Sequence, residues 1–138
     1  MRDRVFLDTS YAVALLDGSD LYHASATRWA TTIAKQRIPL VTSEAIFLEI
    51  GNAFAKADRW PHARQLIEAL RSSADTDVFG LSPELFARGW DLRCRREDKS
   101  WGLVDCTSFE VMRDAKCKAA LTTDKHFIQA GFRALLLE

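Results

Sequence analysis

The sequence predicts an α/β domain. Short apolar runs of strand length alternate with longer stretches of helical period, and no repeat, low-complexity tract or linker interrupts them. Strands separated by helices imply a central, mostly parallel sheet with right-handed crossovers. At 138 residues the chain fits one domain, residues 1–138, and 48% hydrophobic content supplies its core.

Val5-Phe6-Leu7 reads as a short buried strand, followed by a polar turn and a helix over Tyr11 to Leu16 that Gly18 ends. A second helix is expected over His23 to Ala34, and Pro39 precedes a strand at Leu40 to Thr42. Ser43 suits the N-cap of a helix to Ala57, with an apolar stripe of Ile46, Ile50, Ala53, Phe54 and Ala57. Pro61 fits the first turn of a helix to Arg71. A strand is expected over Thr76 to Leu81. Ser82-Pro83-Glu84 then supplies a cap, a first-turn proline and a first-turn acid for a helix to Arg95. A loop over Asp98 to Gly102 leads to a helix from Leu103 to Lys116. Ala119 to Thr122 is a strand, Lys125 to Ala130 a short helix and Phe132 to Leu137 a last strand.

Charge excludes one simple route to function. Lys plus Arg and Asp plus Glu both number 19, so the net charge is zero and no global basic field draws in a polyanion. A nucleic acid would have to be gripped by a local rim. The three cysteines, Cys94, Cys106 and Cys117, lack a C-x-x-C pair and are odd in number, which argues against zinc knuckles and a disulfide framework. Reduced core thiols are the expectation. Met1-Arg2-Asp3-Arg4 leads into no apolar signal region, and no apolar run reaches the roughly 20 residues that span a bilayer. The expected setting is the cytoplasm, without a membrane.

In open parallel sheets, ligands bind outside the carboxyl ends of the strands. Asp8 directly follows the first strand and Asp124 follows the strand at Ala119 to Thr122. Either alone could be a helix N-cap. Glu49 flanks the apolar stripe of its helix, with Asn52 and Lys56 on the same flank; a half-exposed side chain or a pair with Lys56 is the bland alternative. Asp105 lies four residues before Phe109, on a face shared with Met112 and the stem of Lys116, whereas Glu110, Arg113 and Asp114 look solvated. An ionised carboxylate against apolar surface costs several kcal/mol unless it is paired or holds a cation.

Four clustered carboxylates repel one another, and a cation relieves that cost. Oxygen ligands suit a hard ion, Mg²⁺ or Mn²⁺, one or two in number, rather than zinc. Such ions polarise a phosphodiester and activate water, which is the candidate nucleophile because no side chain here is better suited.

These residues carry a resemblance. Val5-Phe6-Leu7-Asp8-Thr9-Ser10, Thr42-Ser43-Glu44 through Leu48-Glu49-Ile50, Asp98 through Leu103-Val104-Asp105-Cys106, Leu121-Thr122-Thr123-Asp124-Lys125-His126-Phe127 and Gly131-Phe132 follow in order along the chain. The chain resembles PIN-domain proteins, and among these the VapC-type ribonuclease toxins of bacterial toxin–antitoxin pairs. The resemblance implies an α/β/α sandwich with Asp8, Glu49, Asp105 and Asp124 as the metal-binding and catalytic set. It offers Asp98 as an accessory, and Thr122 and Thr9 as residues that orient the acids. It also implies an RNA substrate, a homodimer and a cognate antitoxin protein.

Arg93, Arg95, Arg96 and Lys99 surround the loop before Asp105, and Lys125 and His126 follow Asp124. They are candidates for a phosphate-gripping rim, with solvated helix ends as the alternative. His126 could also assist proton transfer. His23 and His62 have no evident partner, and Trp29, Trp60, Trp90 and Trp101 are read as core or dimer contacts. An aspartyl-phosphate phosphatase would need an acid two residues after Asp8, where Ser10 stands. A receiver domain would need an acidic pair after the first strand. A PIN-like scaffold that binds RNA or a protein without cutting, or a housekeeping RNA-processing nuclease, remains as the rival reading.

Overall fold

A computed structural model describes residues 3–138; Met1 and Arg2 of the charged N-terminal stretch lie outside the described residues. Strand β1 (Val5–Leu7) is followed by helices α1 (Thr9–Leu16) and α2 (His23–Gln36). Next come β2 (Leu40–Ser43), α3 (Glu44–Ala53), α4 (Trp60–Ser72), β3 (Thr76–Phe79), α5 (Pro83–Arg95) and α6 (Leu103–Ala115). The chain closes with β4 (Ala119–Leu121), α7 (Lys125–Gln129), β5 (Arg133–Ala134) and a 3-10 turn at Leu135–Leu137.

All five strands run parallel, in the order β3-β2-β1-β4-β5, with helices flanking the sheet as the sandwich reading expects. In β1, the consecutive residues Phe6 and Leu7 are both buried because helices cover both faces, which is why the strand reads as an apolar run rather than an alternation. Its register sets Val5 against Leu40 on one side and Ala119 on the other. The chain moves outward from β1 through β2 to β3, then crosses back to place β4 on the opposite side of β1. The carboxyl ends of β1 and β4 therefore flank the switch point, where such sheets form a crevice.

Caps act where the sequence places them. Ser43 accepts from the Ile46 N–H and Ser82 from the Leu85 N–H, and Pro83 opens α5. Helices α5 and α6 pack closely because Gly89 has no side chain: a Cβ there would lie 2.6 Å from Cγ2 of Thr107. Arg88 ties the same two helices, reaching Asp114 at 2.6 Å and Glu110 at 3.2 Å.

Several expectations are corrected. Helix α3 stops at Ala53 rather than Ala57, because Phe54 leaves helical geometry (φ −116°, ψ 34°) and turns into the core beneath Arg59; Ala53 and Ala57 are exposed. Strand β3 ends at Phe79 rather than Leu81. The last strand shrinks to Arg133–Ala134, because Leu135 and Leu136 are both buried in a turn whose Leu136 N–H donates to the Thr122 carbonyl. Lys116 does not share the apolar face of α6 but caps it, exposed, at φ 58°. Glu110 is not solvated: Arg88 and Arg113 hold it, and its side chain is 13% exposed. Cys94 is exposed, unlike the buried Cys106 and Cys117, and all three thiols are free. His23 has a partner after all, its Nδ1 lying 2.8 Å from the Ala14 carbonyl oxygen.

Candidate active site

The switch-point crevice is a pocket of about 450 Å³ lined by Asp8, Thr9, Ser10, Glu49, Asn52, Asp105 and Asp124. Four elements meet there. Asp8 leaves β1, Glu49 comes from the middle of α3, Asp105 from the first turn of α6, and Asp124 precedes α7.

The packing behind the pocket explains how α6 and α7 come together. Phe109 meets Phe127 edge-on at 5.0 Å, and Trp101 meets Phe109 in the same way at 5.0 Å. Asp105 stands one helical turn before Phe109, and Asp124 and His126 lie three and one residues before buried Phe127, so the aromatic contact aligns the polar groups. The Trp101 Nε1–H donates to Oε1 of Gln129 at 3.0 Å, pinning the loop before α6 to α7.

Each carboxylate is held. Oδ2 of Asp8 accepts from the hydroxyls of Thr122 at 2.8 Å and Ser10 at 2.9 Å. Those two hydroxyl oxygens themselves accept backbone N–H groups, Asp124 N–H on Thr122 and Thr123 N–H on Ser10, both at 3.0 Å. The two hydroxyl oxygens also lie 3.1 Å from each other, so Ser10, Thr122 and the Asp8 carboxylate form one network. The Thr9 hydroxyl donates to Oε1 of Glu49 at 2.6 Å. Oδ2 of Asp105 accepts from the Gly102 N–H at 3.1 Å and lies 2.9 Å from Nδ1 of His126. Oδ1 of Asp124 accepts from the His126 N–H at 2.8 Å, an N-cap bond for α7.

Asp8 is buried while the other three acids are half-exposed. Burial, with a smaller push from the Asp105 charge, raises the Asp8 carboxyl from 3.8 to about 6, against the opposing hydrogen bonds from Thr122 and Ser10.

Of the other sequence candidates, Asp98 is exposed and paired with Arg96 at 3.0 Å, outside the pocket lining. Arg96 also lies over the Trp101 ring at 5.0 Å. Arg95 and Lys125 are exposed, Lys99 is half-buried, and none of them is among the lining residues. Trp101 is buried, whereas Trp60 and Trp90 are exposed. Sequence reasoning missed Ser10, which joins the turn after β1 to the turn after β4. The available signal was a hydroxyl two residues beyond a strand-end acid. Asn52 was noted on the flank of α3 but not assigned to the pocket.

The donor chemistry fits a hard divalent ion: four carboxylates around one pocket, with Asp105, Asp124 and His126 each offering a donor atom within 4.8 Å of the others.

A parallel α/β sandwich with carboxylates gathered at its switch point defines a candidate metal-binding hydrolase domain. The chain belongs to the PIN-domain family, whose family model (PIN domain) matches residues 5–133. It is 30% identical over 132 residues to the 23S rRNA-specific endonuclease VapC20 of Mycobacterium tuberculosis, covering 93% of this chain and 95% of that one. The crystal structure of that VapC20, described as a Sarcin-Ricin loop cleaving toxin, superposes with a TM-score of 0.79 at 27% identity, covering 93% of this chain and 95% of that one. FitAcB from Neisseria gonorrhoeae shares the fold at 14% identity, with a TM-score of 0.65, covering 94% of this chain and 95% of that chain.

Proposed function

We propose that this chain is a divalent-metal-dependent endoribonuclease acting as the toxin of a toxin–antitoxin pair. The observation that carries the reading is the meeting of Asp8, Glu49, Asp105 and Asp124 around one pocket at the switch point, in a chain similar to a named ribosomal RNA endonuclease. The four acids are the proposed holders of the ion, Mg²⁺ or Mn²⁺, and the proposed catalytic set. When bound, the ion polarises the phosphate, acidifies water and neutralises charge growing on the leaving oxygen.

The protein's own groups prepare that chemistry. Thr122 and Ser10 fix one oxygen of Asp8, Thr9 sets Glu49, the Gly102 N–H holds Asp105, and the His126 N–H holds Asp124. Groups fixed before substrate arrives need no reorganisation during reaction. Exposed Lys125 and Arg95, with Lys99 and Arg96 nearer the loop before α6, are the proposed rim for the RNA backbone.

Ribosomal RNA is the first substrate to test, because the VapC20 relative is named for acting on it. The homodimer and the cognate antitoxin are proposed from family membership, and exposed Leu48, Phe86 and Trp90 provide apolar surface that partners could cover. Among the described residues no helix is long and apolar enough to cross a membrane; an RNA substrate places the proposed action in the cytoplasm.

The test incubates purified protein with ribosomal, transfer and messenger RNA, each with Mn²⁺, Mg²⁺ or EDTA. Metal-dependent cuts at discrete positions support the reading. Tight RNA binding without cutting in any metal would favour the scaffold alternative.

A further inference from the structure

The donors at the Asp105–Asp124 end of the pocket are not all oxygens. His126, the second residue of α7, brings Nδ1 to 2.9 Å from Oδ2 of Asp105 and 3.4 Å from Oδ1 of Asp124. Ligands in adjacent octahedral positions, each about 2.1 Å from the ion, lie about 3 Å apart. Both separations therefore match those of neighbouring ligands on one ion, as well as those of hydrogen-bonded or ion-paired groups. The ring is positioned on both sides: its backbone N–H is bonded to Asp124, and the next residue is buried Phe127, edge-on to Phe109. The other histidines lie elsewhere, His23 against the Ala14 carbonyl and His62 exposed on α4.

We infer that His126 supplies an imidazole nitrogen, beside the carboxylates of Asp105 and Asp124, to a divalent ion at this end of the pocket. The inference rests on the metal-dependent reading proposed above and adds a nitrogen to its ligand set. Its consequence is selectivity. Imidazole is a ligand for first-row transition ions, whereas Mg²⁺ keeps to oxygen donors and water, so the site favours Mn²⁺ over Mg²⁺.

Pulsed electron paramagnetic resonance on the Mn²⁺-loaded full-length protein reads this directly, because a ligating imidazole imprints ¹⁴N modulation on the Mn²⁺ signal. The expected result is strong ¹⁴N modulation in the wild type that disappears in His126→Ala. In calorimetric titrations, His126→Ala should bind Mn²⁺ about tenfold more weakly, with Mg²⁺ affinity within about twofold of wild type. Mn²⁺ bound without ¹⁴N modulation, modulation that persists in His126→Ala, or equal weakening of both ions would overturn the assignment and leave His126 as a hydrogen-bond partner of the acids. Absence of any Mn²⁺ binding would overturn it together with the metal-dependent reading, an outcome distinct from the other three.

Discussion

The Thr122 hydroxyl donates to Oδ2 of Asp8 at 2.8 Å, joining residues 114 positions apart across the boundary between β1 and β4. The same hydroxyl oxygen accepts the Asp124 N–H, so one buried side chain sets the geometry of two of the four acids. Thr122→Val keeps the shape but strips a partner from both groups. Urea unfolding at neutral pH should show a loss of about 1–3 kcal/mol, the usual cost of leaving buried polar groups unsatisfied. An unchanged midpoint would show that water replaces the hydroxyl.

Asp8 gives the metal-free protein a pH dependence of definite sign. Its folded carboxyl sits at about 6, above the ordinary 3.8, so the folded state holds the proton more tightly than the unfolded chain. That contribution is full below about pH 4 and is lost as pH rises through about 6, amounting to something on the order of 3 kcal/mol. Asp8→Asn removes the ionisation. In EDTA the variant should be the more stable protein at pH 7, and the difference should shrink toward pH 4. Parallel stability curves for the two proteins would contradict the assignment.

Metal should reverse that penalty. A ligand that binds only the native state stabilises it by mass action, by about 2.7 kcal/mol at a hundredfold excess over its Kd. Wild-type protein is expected to melt several degrees higher in Mn²⁺, with EDTA restoring the original midpoint. Asp8→Asn and Asp124→Asn should lose most of that shift, as read by differential scanning fluorimetry.

Gly89→Ala tests the contact that seats α6. Alanine is worth about 1 kcal/mol over glycine within a helix, yet its Cβ would meet Cγ2 of Thr107 at 2.6 Å and the Thr107 backbone at 3.2 Å. Overpacking of this kind costs about 1–3 kcal/mol, so net destabilisation is expected in thermal unfolding. A stabilised variant would mean that α5 can move away from α6 at little cost.

The order of elements was legible because several helices carry their own signals, Ser43 and Ser82 as caps and Pro61 and Pro83 in first turns, and because short apolar runs mark the strands. Ends were less legible where tertiary packing decides them, as with Phe54 turning inward and Leu135 and Leu136 leaving β5. Asp8 and Asp124 could be singled out because strand-end placement is a local property of sequence, and Glu49 and Asp105 because helical period sets them beside apolar stripes. Of their supports, Thr122 and Thr9 were named through the family resemblance, whereas Ser10 was not, since it finds Thr123 only through the crossover; likewise Arg88 finds Glu110 and Asp114 only through the α5–α6 packing. His126 was singled out as a rim residue and proton carrier, but its approach to Asp105 was hidden, because the two lie 21 residues apart and meet through the contact between Phe109 and Phe127.

The central claim is that these carboxylates cut RNA with a metal ion. The most direct measurement compares wild type with Asp105→Asn on ribosomal RNA in Mn²⁺ and in EDTA. The substitution keeps an oxygen for the Gly102 N–H while removing the charge. The account predicts discrete cuts by wild type in Mn²⁺ alone, and a loss of at least about a hundredfold in rate for a folded Asp105→Asn. Equal cleavage by the variant, or cleavage that survives EDTA, would contradict it.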